Sequence, residues 1–123
     1  FEATVQVTRE GSPIVPEIMI PLVSAKREVE LVKKRVDAVA AAVRTESGVD
    51  FKYRLGVMVE TPRAALRAGE IAPLVSFLSF GTNDLTQMTY GLSRDDAGRF
   101  MLALPVPVAR LAAAQLAVRD KIG

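Results

Sequence analysis

The 123-residue chain contains no cysteine and no histidine. Without cysteine there is no disulfide and no thiolate metal site. Without histidine the commonest general base and the commonest transition-metal ligand are both missing. A metal held by these side chains would have to be oxygen-bound, which points to Mg²⁺, Mn²⁺ or Ca²⁺. Long runs of one kind are missing too. No apolar stretch approaches the roughly 20 residues needed to span a bilayer, and no run of Lys and Arg forms a nucleic-acid footprint. Neither a membrane nor nucleic acid is therefore expected as a partner. The first residues, Phe1-Glu2-Ala3-Thr4, have neither an initiator methionine nor a signal-peptide shape. The expectation is a chain that begins inside a longer one. Its expected setting is cytoplasmic, or an organelle if a transit peptide lies upstream.

What is present is ordinary for a globular domain. Half the residues are apolar, 24% are charged, and the net charge is +2. A chain of this length buries about two-thirds of its unfolded surface, enough for one core.

The run Pro16-Glu17-Ile18-Met19-Ile20-Pro21-Leu22-Val23 reads as a buried strand ending near Pro21. Ser24 is placed to cap a helix. Ala25, Val29, Val32, Val36, Val39 and Val43 follow at helical spacing, with charged residues on the other faces. This predicts a long helix near residues 25–44, ended by Gly48 in a left-handed cap. A second strand is predicted near residues 53–59. Thr61 is placed as a helix cap, with Pro62 at the first helical position. Ala64, Ala65, Leu66, Ala68, Ile71 and Leu74 supply the buried side of one or two short helices. A third strand is predicted near residues 76–80, then a turn at Gly81-Thr82-Asn83-Asp84, then a helix up to Gly91. Alternating strands and helices predict an α/β fold with parallel pairing. A doubly wound sheet and a (β/α)8 barrel both satisfy this pattern.

Two carboxylates stand out by position. Glu60 ends the second strand, and Asp84 closes the turn after the third. In parallel α/β folds the C-terminal strand ends converge on one face, where ligands bind. Two acids meeting there suit a hard cation such as Mg²⁺, which is held by one or two carboxylates plus waters and substrate oxygens. Gly81 would let backbone N–H groups approach an anion, with Thr82 and Asn83 as further donors. The alternative is structural: Asp84 as a helix cap, Glu60 as a solvated strand end, and Gly81 to Asn83 as an ordinary turn. Position alone leaves both open.

Phe80-Gly81-Thr82-Asn83-Asp84-Leu85-Thr86-Gln87 resembles the signature of phosphoenolpyruvate-utilising enzymes. Gly56-Val57-Met58-Val59-Glu60-Thr61-Pro62-Arg63-Ala64-Ala65 resembles the strand that carries that family's metal-binding glutamate. The strand at Pro16–Val23 resembles the one before it, in the same order and spacing. Arg63, the stretch Met88-Thr89-Tyr90-Gly91, and Ser93 to Phe100 resemble the pyruvate, phosphate dikinase branch. The resemblance covers residues 1–100.

The resemblance implies about half of a (β/α)8 barrel that binds phosphoenolpyruvate or pyruvate with Mg²⁺. By it, Glu60 and Asp84 are metal ligands that also lie against the substrate. Gly81, Thr82 and Asn83 match positions that contact its phosphate or carboxylate. The implied reaction interconverts ATP, pyruvate and phosphate with AMP, phosphoenolpyruvate and diphosphate. It runs through a phosphohistidine domain of the same parent chain, and the parent is expected to be a homodimer.

A whole barrel takes about 250 residues. The family's substrate-clamping arginines, its catalytic cysteine, its ATP-grasp domain and its phosphohistidine domain all lie outside these 123 residues. No catalytic residue is therefore assigned, and the isolated chain is expected to be inactive. Residues 101–123 depart from the family pattern and read as a divergent tail, helical from Val108 to Lys121. Two other readings stand beside this one: a phosphoenolpyruvate synthase-like relative, and a non-catalytic relic that keeps only the binding pocket.

Overall fold

Alternation along one six-residue strand divides the molecule into two sides. In Arg54–Val59 (β2), Leu55, Val57 and Val59 are buried and alternate with Arg54, Gly56 and Met58. A computed structural model describes residues 1–91 and 93. Within it β2 is the centre of a three-stranded sheet, flanked by Glu17–Ile20 (β1) and Phe77–Phe80 (β3), in the order β1-β2-β3. Both pairings are parallel, with Ile20, Val57 and Leu78 in one row and Met19, Gly56 and Phe77 in the next. The structure thus has the parallel α/β arrangement read from the sequence.

The first row faces the helices. Lys26–Ser47 (α2) links β1 to β2. Pro62–Leu66 (α3), Ala68–Ile71 (α4) and a 3₁₀ turn at Ala72–Leu74 link β2 to β3. Val23, Val29, Val57, Val59, Ala64 and Ile71 form one core cluster, with Ile20, Leu78 and Phe80 packed on it. The second row mixes an exposed Met19 and a half-buried Phe77 with a buried Gly56. There the Phe77 ring folds over Gly56, and a Cβ on Gly56 would lie 2.3 Å from it. Met19 is 42% exposed on this side.

β1 was expected to be buried, but among the described residues it is an edge of the sheet, and Glu17 and Met19 face solvent. The helical stripe of α2 also differs by one position. Ala40 is fully buried where Val39, 54% exposed, was expected to be. The step from Val36 to Ala40 is the better helical repeat, and the smaller side chain fits the contact. Leu66, expected on the buried side, points to solvent, whereas Ala64, Ala68 and Ile71 are buried as read. Ser24 is not the cap of α2; Ala25 holds that position. The carboxylate of Glu28 instead accepts the N–H groups of Ser24 and Ala25, at 2.8 and 2.9 Å. These bonds hold its carboxyl below the usual glutamate range. Gly48 closes the helix at φ 68, in the left-handed region as expected.

One helix has no counterpart in the sequence reading. Glu2–Arg9 (α1) is rich in β-branched Thr and Val, which are mediocre helix formers. Packing decides its conformation: Val5 joins Ala40 and Phe51 in a second core cluster, bordered by Phe1, Val43, Val49 and Tyr53. Among the described residues no helix is long and apolar enough to cross a membrane. The expected helix from Val108 to Lys121 lies outside the described residues.

Candidate functional site at the C-terminal strand ends

Glu60 follows β2 directly and is buried, with 4% of its surface exposed. Alternation places it on the same side as Met58 and Gly56, away from the helix-facing core. Its Oε1 accepts the N–H of Leu22 at 2.8 Å. Leu22 lies in the loop after β1 and has φ 52, the one non-glycine with positive φ among the described residues. That conformation costs a leucine about 1–2 kcal/mol. The side chain of Leu22 is more than half exposed, so its burial does not offset the strain.

The same loop is held at further points. Thr61 donates its hydroxyl to the carbonyl of Val23 at 2.9 Å and accepts the N–H of Ala64 at 3.1 Å. It therefore caps α3, as read from the sequence, and ties the β1–α2 loop to the β2–α3 loop. With the Glu28 bonds to Ser24 and Ala25, each residue from Leu22 to Ala25 has a backbone group fastened. The bond from Leu22 was missed at the sequence level, because a main-chain donor carries no side-chain signature.

Gly81 follows β3, and its N–H continues the ladder by donating to the carbonyl of Val59 at 3.2 Å. It packs on Glu60: a Cβ at Gly81 would sit 2.5 Å from Oε2 and 2.6 Å from Cβ of the glutamate. Gly81 to Asp84 is not the turn expected. Gly81 is the N-cap of Thr82–Tyr90 (α5), so Thr82, Asn83 and Asp84 form its first helical turn. Asp84 is then the third residue of the helix and not its cap, and all three side chains are exposed. Gly, Thr, Asn and Asp favour turns and helix starts alike, and the buried anchor Leu85 settles the choice. An acidic residue in this turn also complements the helix dipole.

Glu60 and Asp84 thus lie at the same end of the sheet, after adjacent parallel strands, with Gly81 against the first and one helical turn before the second. Among the described residues no Lys or Arg forms an ion pair with Glu60. A buried carboxylate without a cationic partner is costly. The Leu22 N–H occupies one lone pair of Oε1, which makes Oε2, packed against Gly81, the less encumbered oxygen. Among the described residues no group of three or more acidic side chains could hold a metal.

This arrangement is that of an α/β domain with an acidic site at its C-terminal strand ends. The family described as "PEP-utilising enzyme, PEP-binding domain" matches residues 1–121, and the chain belongs to it. It is similar to proteins named pyruvate, phosphate dikinase: 57% identical over 102 residues to that of Clostridium symbiosum and 55% over 102 residues to that of Rhizobium meliloti (strain 1021). Against the chloroplastic enzyme of Flaveria trinervia it is 50% identical over 101 residues. Each match covers 82% of this chain but only 11–12% of the relative.

Proposed function

We propose that this chain contributes part of the phosphoenolpyruvate/pyruvate-binding (β/α)8 barrel of a pyruvate, phosphate dikinase, with Glu60 and Asp84 holding Mg²⁺. The observation that carries the reading is Glu60: a buried carboxylate with one oxygen tied to Leu22 and no basic partner among the described residues. An all-oxygen donor set with no more than two acids fits Mg²⁺, which fills its remaining positions with waters and substrate oxygens. Bound there, the ion would polarise the pyruvate oxygen and stabilise developing enolate charge.

The chain's own residues bind and orient. Gly81 gives close backbone approach, and the first turn of α5 supplies N–H groups at Thr82 and Asn83 suited to a phosphate or carboxylate. In the complete enzyme the phosphoryl group would come from a phosphohistidine domain of the same chain, acting in a homodimer in the cytoplasm or an organelle. By itself this chain would not turn over.

The test assays the two half-reactions separately in a full-length dikinase carrying these residues. Glu60→Ala and Asp84→Ala should each slow phosphoryl exchange with pyruvate by at least about 100-fold, the scale for losing one electrostatic stabiliser. ATP-dependent phosphorylation of the histidine should stay nearly intact. Normal transfer to pyruvate in both variants would reduce these carboxylates to structural roles.

A further inference from the structure

A carboxylate can give a cation one oxygen or two, and the difference matters. Ca²⁺ accepts six to eight oxygens and often takes both from one carboxylate, whereas Mg²⁺ demands a tight octahedron and keeps several waters. At Glu60 the two oxygens are not equivalent. Oε1 already accepts the N–H of Leu22 at 2.8 Å. Oε2 lies against Gly81, whose missing side chain leaves it room.

The Leu22 bond is built into the loop. Leu22 adopts φ 52 although it is not glycine. Its neighbours are fastened on the other side, Val23 by Thr61 and both Ser24 and Ala25 by Glu28. The amide is therefore held in place and does not follow the glutamate as it rotates. A cation that engaged both oxygens would have to share Oε1 with this N–H, which draws electron density from that oxygen and weakens it as a ligand.

We propose that the Leu22 amide is a positioning group that restricts Glu60 to coordination through Oε2 alone and so biases the site toward Mg²⁺ over Ca²⁺. The inference rests on the assignment of Glu60 as a metal ligand, and its test separates the two. In the complete protein carrying this segment, Leu22 is replaced by the corresponding α-hydroxy acid, which turns the N–H into an ester oxygen. Mn²⁺ binding is followed by electron paramagnetic resonance, with Mg²⁺ and Ca²⁺ as competitors.

Losing one charge-assisted hydrogen bond should lower the Mg²⁺/Ca²⁺ preference roughly tenfold. Leu22→Gly keeps the N–H and relieves the strain, so its preference should match the parent. An ester variant with the parent's preference overturns the inference. Unchanged Mn²⁺ binding in Glu60→Gln overturns the metal-ligand assignment itself. A measurement on the unmodified protein stands independently of the ester variant's folding. The infrared carboxylate bands assigned to Glu60, by difference from Glu60→Gln, should show one-oxygen coordination with Mg²⁺. A two-oxygen pattern with Mg²⁺ would sink the idea.

Discussion

Gly81 lies so close to Glu60 that a methyl group on it would sit 2.5 Å from the carboxylate. Its φ of −84 would accept any residue, so the requirement for glycine comes from its neighbours, Glu60 first and then the Met58 sulfur at 3.0 Å. Gly81→Ala should therefore displace Glu60 and destabilise by about 1–3 kcal/mol, the usual range for overpacking. Gly69, in α4, has open space around its Cβ position. Gly69→Ala should be neutral or stabilising by up to about 1 kcal/mol. Urea denaturation of both variants checks the contrast.

Thr61 makes two bonds with one hydroxyl, to Val23 and from Ala64. Thr61→Val keeps the shape and removes both. It should cost about 1–3 kcal/mol, combining a lost helix cap with a carbonyl left unpaired. Thr61→Ser should recover most of that. Equal stability of the valine and serine variants in chemical denaturation would contradict the tie between the two loops.

Tyr53 donates its hydroxyl to Asp37, which also receives Lys33 at 2.9 Å. Burial and this carboxylate push the phenol up to about 12. Folding thus favours the neutral phenol, and its contribution is complete below pH 10 and lost as the pH rises toward 12. Asp37 is shifted down, first by the Tyr53 hydroxyl and then by Lys33. Its contribution is present above the ordinary aspartate value of 3.8 and is lost as the pH falls below it. Tyr53→Phe should flatten the alkaline loss of stability and weaken the acid one. Denaturation midpoints from pH 3 to 12 for both proteins give the comparison.

Among the described residues β1 and β3 each pair on one side only, and β1 presents Met19 to solvent. Unpaired edges beside apolar surface favour association. The 123-residue chain by itself should sediment as concentration-dependent oligomers. Met19→Lys, which puts a charge on the edge, should shift it toward monomer. A clean monomer over a wide concentration range would count against an open sheet.

Most of the architecture was legible because it rests on periodic apolar residues. Strands expected near residues 16–21, 53–59 and 76–80 are found at Glu17–Ile20, Arg54–Val59 and Phe77–Phe80. The valine-studded helix is Lys26–Ser47. Thr61 and Gly48 declared themselves by residue type and position. Three features stayed hidden for three different reasons. α1 is made of residues with weak helical preference and depends on partners some 40 residues away, Ala40 and Phe51. The start of α5 was ambiguous because turn formers also begin helices. The grip on Glu60 comes from a backbone amide, which any residue but proline would supply. Its dependence on the unusual conformation of Leu22 appears only in three dimensions.

α2 is 22 residues long, about 33 Å at 1.5 Å per residue, and β2 has six, about 20 Å. The helix therefore outruns the sheet, and its two halves serve different clusters: Val29 with the strands, Ala40 and Val43 with α1. Among the described residues none belongs to both clusters. Opening can therefore be sub-global, with α1 and the last turns of α2 exchanging their amide hydrogens while β2 stays protected. Fluctuation at the Phe1 end need not reach the Glu60 end, which leaves the loops around Glu60 quiet even when the far end of the same helix is fraying.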